Sequence, residues 1–191
     1  MHLRHPFQWL TPSGLFRAFI FFFVLSLLVM VGLQVTGAHL TNQVSPSGIL
    51  SFEFVGELSA AQKMVNSWGQ TGRVYAGLNL GLDYLFLMVY ACAIGLGCVL
   101  IARNHSTRTT FLINLGIFIA WAQFGAALLD CVENYALIQV LIGTELAVWP
   151  VVARWCAVPK FSIIGAGLLY VIIGTIVVVV LKVKKPDDHP A

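Results

Sequence analysis

Residues 111–129 form a run of nineteen positions without one charged side chain. As a helix, such a run is about 28 Å long, close to the roughly 30 Å hydrocarbon thickness of a bilayer. Three more apolar runs of spanning length occur in the chain. Lipid cannot satisfy free backbone groups, so each run has to be helical. Charged residues make up 10% of the chain and apolar ones 59%, with a mean hydropathy of +0.87. A soluble domain carries about 25% charged residues. The sequence therefore predicts an all-α integral membrane protein, a single membrane domain over residues 1–191. Its four-transmembrane-helix bundle has spans at about 15–36, 78–102, 111–141 and 149–183, and an amphipathic helix and loop cap over 38–77. The first run is longer than the 7–15 residues of a typical signal-peptide core. The small-residue pattern "VTGA" at 35–38 keeps cleavage open as an alternative.

Lysine and arginine orient the spans. Arg4, Arg17, Arg103, Arg108, Lys182, Lys184 and Lys185 fall on one side, and Lys63, Arg73, Arg154 and Lys160 on the other. The richer side is expected to be cytoplasmic, which puts both termini inside a bacterial plasma membrane and the 38–77 segment outside. Acids run the opposite way: only Asp187 and Asp188 lie inward. The net charge of +3 follows this topology and calls for no nucleic-acid partner.

The stretch "ALLDCVENYAL" at 127–137 then breaks the apolar pattern. Asp130 is twenty residues from Thr110, Asp83 twenty from Arg103, and Lys160 twenty-two from Lys182. At 1.5 Å per residue all three charges lie about 30 Å from the cytoplasmic edge, at the outer hydrocarbon boundary rather than the midplane. A midplane charge is a transport or proton-relay candidate by default; a boundary charge reaches water by snorkelling. A transporter or channel component is thus the less favoured reading.

Asp130, Glu133 and Asn134 share a helical face with Leu137, and Gln123 lies two turns below. Asn79 and Asp83 share a face of the second span. Asp83, Asp130, Glu133, Asn134 and Lys160, with Arg154 and Glu53 as second choices, are expected to form a polar ring at the outer mouth of the bundle. Pro159 is expected to break the backbone before Lys160. The ring has two readings: ion pairs that fix helix register, or a binding site for a partner protein, lipid headgroup or small ligand. Carboxylates and an amide are also the hard oxygen donors that calcium or magnesium prefers, but no calcium-loop spacing occurs, so the metal stays unknown, as do cofactors.

In the outer segment, "SPSGILSFEFVGE" supplies turn residues and then an apolar cluster. Ser59 and Gln62 match a capping box, Leu58, Ala61, Val65 and Trp68 share a helical face, and Gly69 is a natural stop. This reads as a short amphipathic helix at the interface, with Trp68, Trp149 and Trp155 in an aromatic belt. As a lid over the ring it brings Glu53 and Glu57 towards it, with His39 nearby. The third and fourth helices, running past the charges, are expected to wall a shallow pocket with this segment.

No Walker A, dinucleotide, zinc-protease or serine-hydrolase motif is present, and no nucleophile–base pair is evident, so no catalytic residue is assigned. Cys92, Cys98, Cys131 and Cys156 read as packing residues, with a Cys131–Cys156 disulfide as the alternative. Gly95, Gly97, Gly165, Gly167, Gly77 and Gly81 read as sites of close helix approach. "GILSFEF", "SWG", "LGLDYLFL" and "LLDCVEN", with a Trp-Pro before the last span, resemble small bacterial membrane proteins of unassigned function over residues 48–160. That resemblance implies four spans and no activity. The expectation is a multi-pass protein whose outer ring binds a lipid headgroup, small ligand or membrane-protein partner; the alternative is an enzyme acting on a lipid-linked substrate at the outer surface.

Overall fold

The computed structural model describes residues 4–104 and 110–183. Arg108, Lys184, Lys185, Asp187 and Asp188, on which the charge asymmetry partly rests, lie outside them. Among the described residues every regular element is helical: α1 (Pro12–Gly37), a 3-10 turn (Ala38–Leu40), α2 (Ile49–Glu53), α3 (Leu58–Ser67), α4 (Gly69–Asn104), α5 (Thr110–Leu141) and α6 (Val148–Val183). Four of these, α1, α4, α5 and α6, are long and apolar enough to cross a membrane. They run alternately up and down, and α2 and α3 cap the end where α1 finishes and α4 begins.

Local chemistry sets the helix ends. Thr11 caps α1, its hydroxyl accepting from the Gly14 amide at 3.2 Å, and Pro12 takes the first helical turn, where its missing N–H is not needed. At the far end of α5, Gly143 adopts φ +95°. Its amide bonds Val140 O at 3.0 Å and the Thr144 amide bonds Gln139 O at 3.1 Å, a Schellman stop that turns the chain into α6.

Three boundaries differ from expectation. Helix α4 begins at Gly69, so the tail of the expected loop is a helical extension. Hydropathy marks where a helix is greasy, and the polar residues 70–75 hide the start of this one. The capping box at Ser59 is absent: Glu57 is the N-cap of α3 without a side-chain hydrogen bond, Ser59 donates to Glu57, and Gln62 reaches Thr144 O at 3.5 Å. Pro159 does not break the chain, because α6 runs through it. The helix is anchored on both sides of the proline by buried Ala153, Ala157 and Lys160, and tertiary packing outweighs the lost hydrogen bond.

The interior is layered. Under the cap, Leu40, Phe52, Ala61, Val65 and Trp68 pack with Ala76, Leu80, Ala136, Leu137, Val140 and Ala153. Trp68 Nε1 donates to Leu40 O at 2.8 Å, which fixes the turn after α1 onto α3. At the other end Phe7, Leu15, Leu96, Cys98, Val99 and Ala120 form a second cluster. The polar residues discussed next lie between the two.

Small residues bring the helices together at the lower level. A methyl group on Gly167 would collide with the Gln123 amide and Ile94, and one on Gly174 with Ile101. Gly97 is the seat on which Phe19 of α1 and Val171 of α6 both rest. Gly81 and Gly165, expected in the same role, have nothing near them. All four cysteines are free thiols, Cys131 and Cys156 included.

Candidate functional site

Lys160 is the centre of the polar layer. Its ammonium lies 2.8 Å from Glu133 Oε2, 3.0 Å from Asp130 Oδ1 and 3.8 Å from Glu53 Oε2. Lys160, Asp130 and Glu133 are 3%, 2% and 0% exposed. Three elements supply the cluster: α6 the lysine, one face of α5 the two acids, and the cap helix α2 the third acid. Asp83 of α4 stands beside it and accepts from Asn134 Nδ2 at 2.7 Å. Six of the seven expected residues thus come together: Glu53, Asp83, Asp130, Glu133, Asn134 and Lys160.

Arg154 does not join them. It is six residues before Lys160 on an unbroken helix, about 120° around the axis. Its side chain is exposed and lies against Gly56 instead. Glu57 is exposed at the start of α3. His39 stacks on Tyr75 with ring centroids 3.7 Å apart, outside the cluster. Asn79, one turn from Asp83, donates to Leu33 O at 2.8 Å and Thr36 Oγ1 at 2.7 Å, which ties α1 to α4. Gln123 is likewise buried and donates across to Ile163 O of α6 at 3.1 Å.

The ring is not a set of snorkelling surface charges. It is an enclosed layer, because α4, α5 and α6 continue past it to the cap. A cavity of about 360 Å³ lies beside it, between residues 30–37 of α1 and 160–164 of α6. Glu53, Asp83, Asp130, Asn134 and Lys160 line it. So do the apolar side chains of Met30, Leu33, Leu50, Phe86, Phe161 and Ile164. Phe161 stacks on Phe54 of the cap at 5.6 Å.

Tyr90 was missed in the sequence. It lines the cavity and is buried, with its hydroxyl beside Asp130. The signal was available: Tyr90 lies two turns after Asp83, on the same helical face.

Three carboxyl groups share one ammonium and a fourth, Asp83, stands beside them, so the layer holds surplus acid. Burial pushes the Glu53 carboxyl above the usual carboxylate range, and Lys160 acts against that shift. Asp130 and Glu133 of α5 and Asp83 of α4 complete its charged surroundings. A carboxyl raised in the docked state binds its proton more tightly there than in the undocked state. Docking of α2 is therefore unpenalised below the usual carboxylate range and weakens as pH rises through it to the raised value. Hydrogen exchange of residues 49–53, corrected for intrinsic rates, is expected to quicken as pH rises above the usual carboxylate range in the wild type. Glu53→Gln is expected to flatten that response; a wild-type profile as flat as the variant's would refute it.

The arrangement can bind a cation or hydrogen-bond donors and can hold protons. Among the described residues no group of His, Cys, Asp and Glu side chains is disposed to hold a metal ion. The Lys160 ammonium already takes the place between Asp130 and Glu133 that an ion would fill. A lysine so paired offers no lone pair for nucleophilic attack. Comparison with protein-family models, curated proteins and solved structures gave no match to this chain.

Proposed function

We propose that this chain is a four-span membrane protein that receives the polar end of an amphiphile, a lipid headgroup, in the cavity between α1 and α6. The carrying observation is the cavity itself, lined by both charged groups and apolar side chains. Such a mixed lining suits a molecule with a polar head and a hydrocarbon tail. The bilayer belongs around the exposed apolar faces of α1 and α6, such as Phe21, Leu28, Leu169 and Ile173. By the distribution of lysine and arginine, the termini lie in the cytoplasm of a bacterium and the cap faces outward.

Helix length supports the depth. Helices α4 and α6 have 36 residues each, about 54 Å, against roughly 30 Å of hydrocarbon. With the Asn104 end of α4 at the inner boundary, Asp83 lies about 31 Å away, at the outer one. The capped layer then projects from the membrane and the cavity mouth meets the outer headgroups. That depth disfavours a transport path through the midplane. The alternative is an enzyme acting on the same lipid, with the cluster's carboxyl groups as general acid and base.

The test is native mass spectrometry of protein purified in mild detergent. A lipid adduct is expected on the wild type. Leu50→Trp, which fills the mouth from the cap, is expected to lose it while keeping the monomer folded. Equal adducts on both proteins would place the lipid on the outer faces of the bundle and defeat the reading.

A further inference from the structure

The charge balance of the cavity indicates which headgroup it takes. Resting on the lipid-pocket reading, we infer that the ligand is an amphiphile whose head carries a positively charged amine. Glu53, Asp83 and Asp130 line the cavity, and among the described residues Lys160 is the one basic residue lining it. That lysine is already engaged by Asp130 and Glu133. Among the described residues no arginine lines the cavity to offer the bidentate fork that phosphate recognition favours. An anionic head would meet acidic side chains at short range and no uncommitted cation.

Two oxygen atoms add to that tally. Glu53 Oε2 is buried, with Lys160 at 3.8 Å. The Tyr90 hydroxyl is buried beside Asp130. Both residues line the cavity, so a carboxyl and a phenol oxygen flank one space. An ammonium has three N–H donors, and carboxylate and phenol oxygens accept them. Asp83, which accepts from Asn134, adds a further acceptor to the lining. The rim suits the rest of a zwitterionic head: Gln34, Thr41 and Ser47 are neutral groups able to solvate an ester or phosphate without adding charge. The tail leaves past Met30, Leu50 and Phe161.

The experiment uses the full chain in detergent with four probes: phosphatidylethanolamine, phosphatidylglycerol of the same acyl chains, dodecylamine and free ethanolamine. Binding is read by thermal shift and native mass spectrometry. The two amine-bearing amphiphiles are expected to bind about 10- to 100-fold more tightly than phosphatidylglycerol, the range of one charge-assisted hydrogen bond. Asp83→Asn keeps the shape and an acceptor for Asn134, and is expected to erase that preference. Tyr90→Phe removes a single hydroxyl and is expected to reduce it, which covers the case of Asp83→Asn failing to fold. Equal binding of both phospholipids overturns the amine inference and leaves the lipid pocket standing. Binding of neither overturns both. Free ethanolamine binding as tightly as the lipid upholds the amine and overturns the lipid as its source.

Discussion

Lys160→Met is expected to be the most damaging single substitution in the chain. It fills a similar volume but removes the ammonium from between Asp130 and Glu133, both buried. Breaking a buried ion pair from one side costs about 3–5 kcal/mol, because the remaining charges stay desolvated without a partner. Folded yield in detergent should fall sharply and the melting temperature with it. The rescue is the more informative arm. Lys160→Met combined with Asp130→Asn and Glu133→Gln leaves no charge stranded and is expected to recover most of the stability. A triple variant as unstable as the single one would show that packing at Lys160 matters and its charge does not. Recovered stability together with lost amine-lipid binding would separate the structural work of the cluster from its binding work.

Phe52→Ala is expected to have the second-largest effect, confined to the cap. Phe52 is fully buried and meets Trp68 edge-on at 5.2 Å. Truncating a buried phenylalanine costs about 3–5 kcal/mol, a transfer term plus the cavity left behind. Helix α2 has five residues, an N-cap without a side-chain hydrogen bond, and glycines of positive φ at Gly48 and Gly56 on either side. So short a helix has little stability of its own, and Phe52 supplies its docking. The loss should appear as local opening, with fast hydrogen exchange over residues 49–55, while α4, α5 and α6 stay protected. Glu53 rides on the same helix, so the variant should also weaken lipid retention. Slow exchange in the cap of this variant would refute the docking argument.

Much of the fold was legible because apolar run length is a strong signal. The four long helices, and the end of the third beyond Asp130, follow from where charges are absent. Helix α2 was not legible: residues 49–53 lack a side-chain cap and are too few for periodicity to speak. The start of α4 was hidden for a related reason, since polarity in residues 70–75 marks exit from an apolar environment and not the end of a helix. In the site, Asp130, Glu133, Asn134 and Lys160 could be grouped from spacing and depth alone. Their burial could not, because it depends on how far three helices continue past the charged level. Arg154 was misplaced because Pro159 was given more power over the helix than α6 grants it. Tyr90 was overlooked because a tyrosine in an apolar span reads as packing until its hydroxyl is seen beside Asp130.

The sideways opening between α1 and α6 changes the scale on which occupancy has to be expressed. The two helices meet at Gly97 through Phe19 and Val171 and part towards the cap, where the cavity lies. On the proposed lipid reading, a ligand entering there samples the surrounding leaflet, so saturation would depend on the mole fraction of ligand among the lipids and not on its molarity in buffer. Adding detergent dilutes that mole fraction at constant protein concentration. Half-occupancy should then track the lipid-to-detergent ratio and ignore the sample volume, which a titration at two protein concentrations reads directly.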